Sequence, residues 1–154
     1  MYAKKHNPFL YFDSVLSRPV RRGRVVPLSD FDRDLARGDL PDFSLVVPDL
    51  CNSAHDCSLE QGDEWLRGFL KPLLASRQLA GGAVFVTFDE GSSGDTAGGG
   101  GNVPTLVLGP LVRRGVRASA RLSHYSLLRT IEDAWGLPRL GRAKTSTSIQ
   151  GIWR

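Results

Sequence analysis

Two carboxylates in succession, Asp89 and Glu90, follow the apolar run 83–88 and lead into Gly91 and a glycine-rich stretch. Adjacent acids repel each other and lose hydration where a strand end is half-buried, so the environment must offset their charge. A divalent cation would do so through oxygen ligation. An ordinary strand-end pair, one acid capping the turn and the other solvated, would do so as well. His55-Asp56 is a second candidate group, either an imidazole oriented by its neighbour for proton transfer or a pair that only stiffens its loop. His6 and His124 complete the imidazoles, and each also reads as a surface or packing residue. Ser126, two residues after His124, reads as a helix cap or filler more readily than as a nucleophile.

The elements that must position these groups follow from periodicity. The run 43–47 is a strand candidate closed by Pro48, and 83–88 and 103–108 are continuous apolar runs of the kind found in parallel strands covered on both faces. Trp65, Leu66, Phe69, Leu70, Leu73 and Leu74 form one broad helical stripe, with Ser58 or Asp63 as its cap and Pro72 as a bend. A short helix over 31–37 should stop at Gly38. Ser123 should cap a helix whose Leu127, Leu128, Ile131 and Trp135 face a core and which Gly136 and Pro138 end. Residues 1–17 read as short helical or irregular structure, and 18–27 as a surface loop. Six of the eleven residues in 91–101 are glycine, which favours mobility and close approach to a ligand, but no Lys-Ser or Lys-Thr closes a P-loop. The expected class is therefore α/β, a largely parallel sheet flanked by helices in a single domain over 1–154. If 43–47 and 83–88 are sheet neighbours, His55, Asp56, Asp89 and Glu90 converge beyond their carboxyl ends.

Composition narrows the function classes. The 154 residues carry a formal net charge of +4, too small an excess, without interleaved aromatics, to mark a nucleic-acid binder. Arg18, Arg21, Arg22 and Arg24, and likewise Arg113, Arg114, Arg117 and Arg121, are either solvated faces or docking points for an anionic substrate such as a phosphate ester. No apolar run approaches the roughly 20 residues of a membrane span, and no secretory leader is recognisable. The two cysteines, Cys51 and Cys57, can close a small disulfide loop, remain free thiols, or serve a metal. A disulfide would call for an oxidising compartment. The sequence sets no oligomeric state.

Several segments in order carry a resemblance. They are His6-Asn7-Pro8-Phe9, the stretch 41–49, His55-Asp56, Gly62-Asp63 with Trp65-Leu66, the stretch 86–91, 103–110, and 124–132. Together they resemble the phosphoesterase family of bacterial phosphatidylcholine-type phospholipases C and acid phosphatases, within the alkaline-phosphatase-like superfamily. The resemblance implies a hydrolase acting on phosphoric ester bonds, with a phosphate ester or phospholipid as substrate and a divalent metal ion as cofactor. It implies Asp89 and Glu90 as metal ligands, His6 and His55 around the phosphate with Asp56 orienting His55, and a supporting role for His124. Full-length members are expected to be secreted or extracytoplasmic. The family's earlier metal motif and its hydroxyl nucleophile are not found in these 154 residues, so the chain is expected to correspond to the C-terminal half of such an enzyme. The rival expectation is a catalytically inactive α/β fragment that binds a partner.

Overall fold

The computed structural model describes residues 1–92 and 94–154, in two compact units, Met1–Ala80 and Gly81–Arg154. The first unit is helical. Two single 3-10 turns, Lys4–His6 and Pro8–Tyr11, are followed by the short helices α1 (Asp13–Leu16) and α2 (Pro19–Arg22). The expected loop over 18–27 thus contains a helical turn, because Pro19 sits at its first position, where a missing N–H costs nothing and φ is already helical. Helix α3 (Leu28–Arg37) ends as expected at Gly38, which takes φ 86° and returns its N–H to the carbonyls of Asp34 and Leu35.

Helix α4 (Leu59–Ala75) starts at Ser58, whose hydroxyl accepts the Gln61 N–H at 3.3 Å. Its apolar stripe packs within the unit: Trp65 stacks on Phe69 with ring centroids 5.2 Å apart, Phe31 of α3 lies 5.0 Å from Phe69, and Leu73 is buried. Pro72 lies inside the helix.

The second unit holds the sheet, and here the expectation of parallel strands is corrected. β1 (Val84–Thr87) and β2 (Thr105–Leu108) form a two-stranded antiparallel sheet in the register Val84↔Leu108 to Thr87↔Thr105. A parallel pair needs a crossover, usually a helix, whereas the described residues between these strands contain only the 3-10 turn Ala97–Gly99, and the chain returns antiparallel. Residues 43–47 form no strand, so the strand expected there is corrected as well. Hydrophobicity qualifies a segment for a ladder, but only a hydrogen-bonding partner makes it a strand.

Helix α5 (His124–Ala134) is preceded by Ser123, whose N–H donates to the Ser126 hydroxyl at 3.2 Å. Ser126 is buried and serves that cap, which removes it as a nucleophile. The core is built from Val112, Ile149 and Ile152, with Phe85 and Val107 of the sheet and Leu127 of α5 packed against it. The chain's last residues, to which the sequence assigns no element, are stitched in by polar contacts. Arg113 N–H donates to Ile152 O at 2.8 Å, Ile149 N–H donates to the Thr130 hydroxyl at 2.8 Å, and Trp153 Nε1 donates to Ile149 O at 2.7 Å. Among the described residues, no helix is long and apolar enough to cross a membrane.

Candidate active site

Three of the six candidate residues lie together in the first unit. His6 ends the first 3-10 turn, and Asn7 fixes the next by accepting the Phe9 N–H at 3.2 Å. His55 sits on the Cys51–Cys57 loop, which is closed by a disulfide, settling the thiol alternatives. The two imidazole rings are 5.2 Å apart, tilted at 49°. Asp56 Oδ1 lies 2.6 Å from His55 Nδ1. A carboxylate can only accept, so Nδ1 carries the proton and Nε2 is left open to a ligand.

The loop that presents His55 is built from local chemistry. The Asp49 carboxylate accepts the N–H groups of Cys51 at 3.0 Å and Asn52 at 2.9 Å, which turns the chain after Pro48. Its pKa is held below the ordinary carboxylate value, first by the Asn52 N–H, while desolvation works in the opposite direction. The Leu50 carbonyl accepts from both His55 N–H at 3.0 Å and Asp56 N–H at 2.9 Å. Ala54, just before the histidine, takes the left-handed conformation at φ 58°. Gly62 of α4 completes the arrangement, since a Cβ there would stand 3.1 Å from the Ala54 Cβ.

The other three candidates lie in the second unit. Asp89 and Glu90 follow β1, with both side chains exposed. His124, the first residue of α5, places Nε2 2.8 Å from the Asp89 carbonyl oxygen, so the ring donates there. His124 therefore holds the backbone of the acidic pair.

The glycine-rich segment after that pair is more tied than its composition indicates, and the reason is Asp95, to which the sequence reading gave no role. Its carboxylate accepts the N–H groups of Ala97 at 3.0 Å and Asn102 at 2.8 Å, and both lower its pKa, Ala97 foremost. Gly91 N–H donates to Gly100 O at 2.7 Å, directly beyond Glu90. Gly101 has φ +81°, and a Cβ there would meet the Asp95 carbonyl at 2.7 Å. An Asp flanked by glycine and threonine within a turn-rich stretch is the sequence signal for such a staple.

The donor set can be tested against a divalent ion. Asp89 and Glu90 offer hard oxygens of the kind such ions prefer, and the His124 bond steadies their backbone. Their chemistry fits, and their number falls short of a full shell: within each unit, among the described residues, no group of three or more His, Cys, Asp or Glu side chains is placed to hold a metal.

Comparisons with known proteins bear on the ordered motifs. Residues 1–138 match the Phosphoesterase family. The chain is 32% identical to a probable acid phosphatase of Kluyveromyces lactis, covering 98% of this chain and 36% of that protein. It is 31% identical to an acid phosphatase of Aspergillus fumigatus, over 98% of this chain and 34% of the relative. It is 34% identical to a phosphatidylinositol-3-phosphatase of Mycobacterium tuberculosis, over 99% of this chain and 48% of the relative. The chain thus spans between a third and a half of the length of these relatives. No solved structure matches it. Since the family match runs through both units and takes in every candidate residue from His6 to His124, this chain belongs to the phosphoesterase family.

Proposed function

We propose that this chain supplies part of the active site of a hydrolase acting on phosphoric ester bonds, of the acid phosphatase or phospholipase C type. The carrying observation is the meeting of His6, His55 and Asp56, brought together from distant points of the sequence. Two adjacent imidazoles can line a phosphoryl group, and in its imidazolium form, with a second proton on Nε2, His55 can donate to a phosphoryl oxygen or pass that proton to a leaving alkoxide while Asp56 holds Nδ1–H. Asp56 holds the proton on His55 Nδ1, which directs Nε2 to the ester. Asp89 and Glu90 are assigned as carboxylate ligands of a divalent ion, and His124 as the residue that keeps them in place. Such an ion, when bound, would polarise a phosphoryl oxygen.

In this reading the two units belong to one catalytic domain, of which the chain is the C-terminal segment. The nucleophile and the remaining metal ligands then come from outside these residues. The largely parallel sheet expected of such a domain would then be built with strands from outside these residues. The relatives' names support a phosphate ester as substrate. The Cys51–Cys57 bridge supports an oxidising compartment.

A second reading, a non-catalytic fragment that binds a partner, is favoured by the uncovered apolar side chains Phe88, 44% exposed, and Leu106, 56% exposed, at the sheet. One assay separates the two. Hydrolysis of a chromogenic phosphate monoester is measured with and without added divalent metal, for the chain joined to the amino-terminal part of a family member that carries the nucleophile, and for the same fusion with Asp89→Asn or His55→Ala. Metal-dependent turnover lost in both variants supports the hydrolase. Turnover indifferent to metal and to both substitutions refutes the site assignment, and no turnover under any condition leaves the fragment reading.

A further inference from the structure

The arginines singled out near the start of the chain are not used by the hydrolytic reading, and their placement has a consequence of its own. α1 and α2 form a hairpin tied by Arg21 Nη1, which donates to the Ser14 carbonyl at 3.1 Å. Along one side of the hairpin runs a hollow of about 460 Å³ lined by Ser17, Arg18, Pro19, Val20, Arg21 and Arg24. Arg18, Arg21, Arg22 and Arg24 are all exposed, and among the described residues none of them pairs with a carboxylate. Val20, which lines the hollow, is 75% exposed, and Phe12, directly ahead of α1, is 56% exposed.

We propose that this hairpin is an interfacial docking site for an anionic phospholipid bilayer, in which the hollow takes lipid phosphate headgroups and Val20 and Phe12 enter the acyl boundary. Guanidinium forks match phosphate oxygens, and basic groups interleaved with apolar ones are the composition of segments that lie on membranes. A dry protein interface suits the site poorly, because unpaired guanidiniums lose more hydration there than Val20 returns by burial. A nucleic-acid site is less well matched as well, since aliphatic Val20 offers no face for a base to stack on. The proposal stands independently of the hydrolytic reading: it concerns where the chain binds, not what it cleaves.

The test is co-sedimentation of the chain with vesicles of phosphatidylcholine alone and of phosphatidylcholine mixed with phosphatidylserine, at low and high salt. Binding is expected only with phosphatidylserine, and salt should release it. Arg18→Gln and Arg21→Gln should each weaken partitioning about fivefold, with helix content by circular dichroism unchanged. Val20→Ser should weaken it several-fold, and Asp89→Asn should leave it unchanged, so a failed hydrolytic assignment remains distinguishable. Equal binding to both vesicle types, binding to neither, or arginine variants that bind like the parent overturns the proposal. Release by inorganic phosphate, where chloride of equal ionic strength does not release, would assign the hollow to free phosphate instead. Arginine-dependent binding to a DNA duplex without vesicle binding would assign it to nucleic acid.

Discussion

His124 Nε2 donates to the backbone carbonyl of Asp89 at 2.8 Å, so the first residue of α5 fixes the chain where β1 gives way to the acidic pair. That link joins two family segments separated by the glycine-rich segment and β2, and in the proposed reading His124 acts by positioning the acidic pair. Replacing it with alanine leaves the Asp89 carbonyl without its partner, which should cost about 1 kcal/mol of stability. If the pair holds a metal, divalent-ion affinity should fall roughly tenfold or more, as it does when supporting residues behind metal ligands are removed. Calorimetric titration with Mn²⁺ reads this directly. His124→Gln, which keeps an N–H donor, should recover part of the loss.

The Cys51–Cys57 bridge closes the loop that carries His55 and Asp56. On chain-entropy grounds a loop this short is worth about 2 kcal/mol. Cys51→Ala with Cys57→Ala should lower the urea midpoint accordingly. A reducing agent should act on the parent in the same direction and have no effect on the double variant.

Gly101 and Gly98 make an internal comparison. Both have positive φ, +81° and +67°, but a Cβ at Gly101 would strike the Asp95 carbonyl at 2.7 Å, whereas nothing lies within 4 Å at Gly98. Gly98→Ala should cost only the conformational penalty, about 1 kcal/mol. Gly101→Ala should cost about 2 kcal/mol or more, because the clash is with backbone that cannot step aside. Thermal unfolding of the two variants side by side decides it; equal losses would mean that the Asp95 staple does not hold in solution.

Acid should weaken this protein through named carboxylates. Asp49 and Asp95 have pKa values lowered by backbone N–H donors, and Asp133 has one lowered foremost by its hydrogen bond from Arg139. Since each folded-state pKa lies below its unfolded value, the stabilisation is in full force above about pH 4 and is lost as pH falls through the folded values. The melting temperature should therefore drop as pH falls below about 4. Asp49→Asn and Asp95→Asn should each be less stable at neutral pH and show a shallower drop.

Much of the helical structure was written locally. Gly38 ended α3, Ser58 opened α4, and Ser123 opened α5, because caps and left-handed stops are decided by a few adjacent residues. The candidate residues were legible too, since carboxylates and imidazoles in ordered motifs identify themselves by type. What sequence could not supply was pairing. The apolar runs 83–88 and 103–108 look the same whether their partner runs parallel or antiparallel, and only the short return through the glycine-rich segment turned them into a hairpin. In the same way, the sequence supplied His6 and His55 as separate candidates, whereas the tertiary fold set their rings 5.2 Å apart. It also brought His124 to the Asp89 carbonyl, because a hydrogen bond across 35 residues depends on where the chain returns in space, and no local pattern encodes that return.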